Sequence, residues 1–280
     1  MRKLFLTLML LAFVLCAGAQ RKYIDTLRAK LNRNLDDSTR LQTLLDLGHA
    51  YYLSNPDSDI ILSQKAYVIA EKGKVMAQQS RALNDMATGY ASLGDYPKAV
   101  QMFYRALRIS EDLHDGFSVI RIYNNLGDTY MRRGDYRKAL NSLLSANKQW
   151  HDLPATRKPT NRTSTELGVI LSLNIGESYL GLHNIDSADY YLQESYKEGK
   201  KFDDVVDNIY RDFGEVEIAR GHTDKALKYL SDAIHASKSI DDQQMLSESY
   251  LSEAKLYHNN KQQDSAEFYG QKALDVAGAG

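Results

Sequence analysis

Two arginine–asparagine pairs are the residues of this sequence best suited to hold a ligand. Arg81 precedes Asn84 by three positions, and Arg121 precedes Asn124 by the same three. Residues three apart are neighbours on one face of a helix, so each pair places a guanidinium beside an amide. An arginine fork binds a carboxylate, and an asparagine amide can hydrogen-bond a peptide backbone. The pairs indicate a peptide-binding surface or, alternatively, a solvated helix face repeated by duplication, since charged helix faces are usually only solvated.

The other candidate residues form no recognisable catalytic or metal site. The seven histidines include no pair at metal-ligand spacing on one helix face. The sequence has no glycine-rich phosphate loop and no Gly-x-Ser-x-Gly turn. We therefore predict no catalytic residue, no cofactor and no metal, with an enzyme built on a helical scaffold as an alternative. Trp150 is interpreted as a packing residue, with a stacking platform as the alternative.

Composition and charge narrow the class of protein further. The chain has 280 residues, of which 43% are hydrophobic and 25% charged, with a formal net charge of -1. This is enough sequence for a sizeable buried core and is ordinary for a soluble fold. Binding to nucleic acid through its phosphates needs a basic surface, which this balance does not offer. We expect no nucleic-acid partner.

Residues 1–19 have the pattern of a secretory signal peptide. Arg2 and Lys3 precede an apolar run over residues 4–16, and small residues follow at Ala17 and Ala19. Cleavage is expected after Ala19. A membrane span is the competing interpretation, but a spanning helix needs about 20 apolar residues.

A lipid anchor on Cys16 is a second alternative, although Leu15 stands where a lipoprotein signal has a small residue. Cleavage would remove the only cysteine and leave a mature chain without thiols. An exported chain without disulfides fits the periplasm or cell envelope of a Gram-negative bacterium. No membrane span is predicted in the mature chain.

A small residue, followed in most copies by a tyrosine three positions later, recurs along the rest of the sequence. The spacings between successive copies are 39, 40, 49, 38 and 40 residues. The small residues are Gly48, Ala87, Gly127, Gly176, Gly214 and Ala254, and the last five are followed twelve positions later by Ala99, Ala139, Ala188, Ala226 and Ala266. A period of this length predicts a solenoid. Glycine inside a helix costs about 1 kcal/mol relative to alanine, so its recurrence indicates a close crossing of two antiparallel helices.

The predicted turns agree with helix pairs. Gly94-Asp95 and Gly134-Asp135 each supply a glycine that ends one helix and an aspartate that caps the next. Three aspartate pairs, Asp36-Asp37, Asp203-Asp204 and Asp241-Asp242, precede new helical runs and are predicted to be N-caps.

A second small residue follows the alanine of the last five copies by seven positions, at Ala106, Ala146, Ser195, Ala233 and Ala273. The first small residue, the tyrosine, the glycine-aspartate turn and these two alanine positions resemble the tetratricopeptide repeat (TPR) family over residues 41–276. The resemblance implies an all-α fold, a right-handed superhelix (solenoid) of about six TPR-like helix pairs. The expected units lie near residues 41–79, 80–119, 120–165, 166–206, 207–246 and 247–280, after an N-terminal capping helix over residues 20–40. The stretch 152–165 is predicted to be a surface loop, alternatively a basic flap over the groove.

In the resembled family, the first helix of each pair lines a concave groove that binds a protein or peptide. Carried onto this sequence, the resemblance assigns the groove to Arg81, Asn84, Thr88, Arg121, Asn124, Asp128, Arg132, Glu177, Arg211 and Glu215. It implies a non-catalytic scaffold for a protein or peptide ligand in the cell envelope. The alternative role is the extracytoplasmic sensory input domain of a longer signal-transduction protein, a histidine kinase or transcription regulator with downstream membrane and signalling domains.

Overall fold

The computed structural model describes residues 21–52, 54–154, 156, 158 and 162–278. This part of the chain is helical and contains no β-strand, which confirms the predicted all-α class. The predicted signal peptide lies outside the described residues.

Thirteen helices follow one another through the described ranges, joined mostly by short turns. They are α1 (21–31), α2 (Asp37–Tyr51), α3 (Pro56–Lys72), α4 (Met76–Ser92), α5 (Tyr96–Asp112), α6 (Gly116–Arg132), α7 (Tyr136–Asp152), α8 (Arg162–Gly181), α9 (Ile185–Gly199), α10 (Asp203–Ala219), α11 (Thr223–Ile240), α12 (Gln243–Asn259) and α13 (Gln263–Ala277). Among these helices, none has the length and apolar character that crossing a membrane requires.

Close contacts divide the chain into two compact units, Met1–Thr129 and Tyr130–Gly280. In the first unit, α2 packs against α3, α3 against α4, and α4 against α5. In the second unit, α8 pairs with α9, α10 with α11, and α12 with α13, and each pair also packs against the next. The predicted organisation, a solenoid of TPR-like helix pairs, is therefore present.

Small residues stand where paired helices cross. A Cβ atom built on Gly176 in α8 would lie 2.9 Å from the Leu192 side chain and 3.3 Å from the carbonyl oxygen of Ala188 in α9. Gly214 in α10 has the same relation to Leu230 and Ala226 in α11. Because no side chain larger than hydrogen fits without displacing the partner helix, these glycines allow the close approach that the sequence predicted.

The predicted turns are confirmed at Gly94 and Gly134, which adopt left-handed backbone conformations with φ of 80° and 81°. The Asp95 side chain then accepts a hydrogen bond from the Lys98 amide at 3.3 Å and caps α5. Asp135 holds the N-cap position of α7, but its side chain makes no capping hydrogen bond, so the predicted aspartate cap is wrong there. Glycine is favoured in such conformations because it has no Cβ to clash with the backbone.

Two of the three aspartate pairs supply N-caps. Asp36 accepts a hydrogen bond from the Thr39 amide at 2.9 Å, and Asp242 accepts one from the Met245 amide at 2.8 Å. The prediction is wrong for Asp203-Asp204, because Phe202 holds the extended N-cap conformation and both aspartates already lie in the first turn of α10. Their charges still favour the helix N-terminus.

Two boundaries differ from those expected from the sequence. α1 ends at residue 31 and α2 begins at Asp37, so the segment 20–40 contains the capping helix and also the first turn of α2. α1 packs on the first pair, where Leu31 contacts the cluster of Leu41, Leu44 and Leu45. α8 begins at Arg162, within the stretch 152–165 that was predicted to be loop.

Candidate functional site

The predicted groove residues lie on the first helices of the pairs, and the two units are described separately. In the first unit, Arg81, Asn84 and Thr88 lie on α4, and Arg121, Asn124 and Asp128 lie on α6; we call these the α4–α6 surface. In the second unit, Glu177 lies on α8, and Arg211 and Glu215 on α10; with Glu248 and Lys255 of α12 they form the α8–α12 surface. Arg132, the last residue of α6, is exposed.

Arg81 is held by carboxylates of its own chain. Its Nη2 lies 3.2 Å from Asp46 Oδ1 on α2, and its Nε lies 3.8 Å from Asp85 Oδ2 one turn along α4. The guanidinium therefore connects α2 to α4. A ligand carboxylate would have to compete with two protein carboxylates for it.

Asn84 is buried and both ends of its amide are engaged. Its side chain donates to Asp85 Oδ1 at 3.2 Å, and its Oδ1 accepts from Asn125 Nδ2 on α6 at 3.0 Å. Asn124 is also buried. The asparagines of the Arg-x-x-Asn pairs thus contribute to helix packing, and Asn84 joins α4 to α6 instead of facing a ligand.

Arg121 is the guanidinium of the α4–α6 surface that stays open to a ligand. It is half-buried and lines a small cleft of about 20 Å³ together with Arg81 and Asn84. Among the residues that the structure describes, it makes no direct ion pair. Burial raises the pKa of Asp85, and the charges of Arg121 and Arg81 act in the opposite direction.

In the second unit, Arg211 connects three helices. Its guanidinium lies 3.4 Å from Glu177 on α8, 2.8 Å from the adjacent Asp212, and 3.2 Å from Glu248 on α12. Asp212 is 1% exposed. Burial raises its pKa well above the usual range, against the opposing effect of Arg211. Arg211 is therefore a structural cross-link and not a free anion-binding group.

Glu215 pairs across helices in the same way. Its Oε2 lies 2.5 Å from Lys255 Nζ on α12. The side chains of Glu177 and Glu248 remain about one third exposed, at 38% and 34%. The α8–α12 surface consequently presents carboxylates to solvent, whereas the α4–α6 surface presents the Arg121 guanidinium.

Sequence reasoning missed the partners of these residues, although a signal for them exists. Arg211 meets Glu248 across 37 positions, and Glu215 meets Lys255 across 40, which is one repeat period. For a residue on the first helix of one pair, the residue about one repeat period later in the sequence is therefore its expected neighbour on the first helix of the next pair.

Both surfaces offer charges and hydrogen-bonding groups for binding. Among the described residues, no three histidine, cysteine, aspartate or glutamate side chains are grouped so that they could hold a metal ion.

The comparison with protein families decides the kind of repeat. Residues 78–146, which cover most of α4, all of α5 and α6, and most of α7, match the sequence model of the tetratricopeptide repeat family. These residues are tetratricopeptide repeats. The TPR match includes Arg81, Asn84, Thr88, Arg121, Asn124 and Asp128, so the whole α4–α6 surface lies within it.

Solved structures extend the likeness beyond the TPR match. The apo form of RapI is similar with a TM-score of 0.71 at 15% identity, covering 95% of this chain and 94% of that one. Aspartyl phosphate phosphatase F from Bacillus subtilis is similar with a TM-score of 0.74 at 17% identity, covering 91% of this chain and 64% of that one.

The Rap conjugation gene regulator of plasmid pLS20, in complex with the Phr* peptide, has a TM-score of 0.68 at 15% identity, covering 96% of this chain and 72% of that one. At these identities the similarity shows the fold alone, and it confirms the TPR-like repeat fold. Among curated proteins, no match to the sequence is found.

Proposed function

We propose that this protein is a non-catalytic scaffold that binds a polypeptide partner on its α4–α6 surface. The observation that carries the proposal is Arg121, a half-buried guanidinium beside a cleft, with no direct ion pair among the described residues. The similar Rap regulator of pLS20 is a peptide complex, which supports a peptide as the class of ligand.

The chemistry of Arg121 favours an anionic group of the partner. A planar guanidinium binds a carboxylate through two parallel hydrogen bonds, and partial burial strengthens that pairing by lowering the local dielectric. Arg81 is already paired with Asp46. We therefore propose that Arg121 binds a carboxylate of the partner, from an acidic side chain or a C-terminus.

A peptide library displayed on phage and selected against the full chain tests the proposal. Peptides selected on the wild type should bind Arg121→Ala at least tenfold more weakly, whereas Arg108→Ala should bind them as the wild type does. Arg108 is a matched control because it is an exposed arginine on α5, the second helix of a pair. Selected peptides that bind both variants equally well would contradict the proposed site.

We further propose that the protein works in the cell envelope, as a free scaffold or as the sensory input part of a longer signalling protein. The charged start, apolar run and small residues over residues 1–19 support export. Mass spectrometry of the protein recovered from the periplasm should find a mature chain that begins at Gln20. An uncleaved chain that stays in the cytoplasmic fraction would contradict export.

A further inference from the structure

A second cavity lies in the second unit, apart from the predicted groove residues. It is formed by α7, α8 and α9, has a volume of about 490 Å³, and is lined by Trp150, Lys158, Gly168, Tyr190, Glu194 and Glu198 among others. None of the predicted groove residues lines it. Its walls combine aromatic rings with carboxylates, a composition suited to positively charged groups.

Gly168 on the facing helix α8 leaves the space that the Trp150 indole occupies. A Cβ atom on Gly168 in α8 would lie 2.9 Å from the indole Nε1 and 3.1 Å from Cε2. Glycine in the middle of a helix is unfavourable, so its presence here has a packing reason. The contact with Gly168 agrees with the interpretation of Trp150 as a packing residue, but it involves only one edge of the indole ring. The face of the ring has a different neighbour.

A lysine of the same chain occupies the face of that ring. Lys158 Nζ lies 4.4 Å from the centroid of the Trp150 ring. An ammonium within about 6 Å of an aromatic centroid is attracted by the negative face of the ring, most strongly for tryptophan. The cavity thus already holds a cation, which shows what kind of group its aromatic wall accepts.

Tyr190 supplies a second aromatic surface that projects into solvent. Tyr190 is 60% exposed, which is high for a large aromatic residue. It stands edge-on to Tyr191 at 5.1 Å, and Tyr191 stacks on Tyr179 at 5.7 Å. These contacts hold the exposed ring in place, so little conformational entropy would be lost when a ligand packs against it.

Two carboxylates complete the cavity on α9. Glu194 pairs with the exposed Lys197 on the same helix, and Glu198 pairs at 2.5 Å with the exposed Lys201 in the turn after that helix. Exposed pairs of this kind contribute little free energy. An incoming cation can therefore replace the lysines without a large loss.

We propose that this cavity binds two basic side chains of a partner polypeptide, which pair with Glu194 and Glu198, one of them taking the place of Lys158 on the face of Trp150. The spacing favours a polypeptide. Residues four apart on a helix are separated by about 6 Å along its axis, and alternate residues of an extended chain are separated by about 6.6 Å. Two basic residues separated by one other residue therefore match the two glutamates.

The single tryptophan makes the cavity directly observable, since Trp150 is the only one in the chain. Its fluorescence is measured while the full chain is titrated with the peptide acetyl-Gly-Arg-Gly-Arg-Gly-amide at fixed ionic strength. The expected result is a saturable change that acetyl-Gly-Glu-Gly-Glu-Gly-amide and tetramethylammonium chloride do not reproduce. No saturable change, or an equal response to either control ligand, would overturn the proposal.

Variants assign the response to named residues. Glu194→Gln combined with Glu198→Gln should weaken binding of the arginine peptide at least tenfold, and Lys158→Gln should tighten it several-fold because the internal competitor is removed. Glu267→Gln, an exposed change on α13, is the matched control and should leave binding unchanged. Unchanged affinity in both the double glutamate variant and Lys158→Gln would overturn the site.

Tyr190→Ala provides a further test that leaves the charges intact and should weaken binding several-fold, with helicity by far-UV circular dichroism confirming the fold. Full affinity in this folded variant would count against the aromatic wall. The outcome is separable from the proposed function, because selection of peptides by the α4–α6 surface is measured independently through Arg121→Ala.

Discussion

Gly214 in α10 lies so close to Leu230 in α11 that a methyl group on the glycine would come within 2.6 Å of the leucine Cδ2. Leu230 is completely buried, and so is Ala226 one turn before it. Gly270 in α13, by contrast, has nothing within 4 Å of the position that a Cβ would take. The same residue type therefore has a packing role at one helical position and none at the other.

Substituting alanine at these two glycines should change stability in opposite directions. Gly270→Ala should raise the free energy of unfolding by about 0.5 to 1 kcal/mol, because alanine is the better helix former. Gly214→Ala gains the same helix propensity, but overpacking costs about 1 to 3 kcal/mol, so a net loss is expected. Midpoints of urea unfolding, followed by far-UV circular dichroism, measure both effects. An equal stabilisation by the two substitutions would show that α10 and α11 do not cross closely at Gly214.

The buried carboxyl of Asp59 predicts a pH-dependent stability. Asp59 is 1% exposed and accepts a hydrogen bond from Ser63 Oγ at 3.0 Å. Burial, with the nearby charge of Asp85, raises its pKa from 3.8 to about 7. Because the folded state holds this proton more tightly than the unfolded chain, the contribution of Asp59 to stability falls as pH rises from about 4 to about 7 and is constant above that range.

Asp59→Asn keeps an acceptor for Ser63 and removes the charge. It should therefore be more stable than the wild type at pH 8, by as much as about 4 kcal/mol, and should differ little from it near pH 4. Asp57→Asn, an exposed change in the first turn of the same helix, is the control and should show no such gain. Unfolding midpoints at the two pH values decide the matter, and a variant that is no more stable at pH 8 would contradict the raised pKa.

Arg211 predicts a large loss of stability when its charge is removed. Arg211→Met would leave the buried Asp212 without its cation. The partly exposed Glu177 and Glu248 would lose the same partner. Breaking a buried ion pair on one side costs about 3 to 5 kcal/mol, and protonation of Asp212 limits the loss to the lower part of that range. Glu248→Gln removes only a partly exposed partner and should cost about 1 kcal/mol or less. Urea unfolding compares the two, and an Arg211→Met variant within about 0.5 kcal/mol of wild type would contradict the cross-linking role.

The fold could be predicted from the sequence because its determinants repeat. Gly176 and Gly214 each need space at a helix crossing, and their recurrence identifies that crossing without knowledge of any partner residue. The caps at Asp36 and Asp242 were predictable for a similar reason, since the capping hydrogen bond spans only three residues. At Asp203 the prediction failed because the composition did not determine which residue is the first helical one.

The site was less predictable because its contacts join different repeats. Asn84 was expected to face a ligand, but its amide bonds Asn125, which is 41 positions away. Arg81 was expected to bind a carboxylate of a ligand and Arg211 was assigned to the groove, and each is paired with a carboxylate on a neighbouring first helix. The slot for Trp150 likewise depends on Gly168, a glycine outside the repeated small-residue positions.

Footprinting of single cysteines tests the peptide-binding claim most directly. Cys16 is the only cysteine, so Cys16→Ser provides a background without thiols, in which Thr88→Cys places a thiol on the α4–α6 surface and Arg108→Cys places one on the second helix α5. With a saturating amount of a peptide selected from the library, alkylation at position 88 should slow at least tenfold while alkylation at position 108 is unchanged. Equal alkylation rates at position 88 with and without peptide, or protection at position 108 alone, would contradict the claim that the first helices bind the partner.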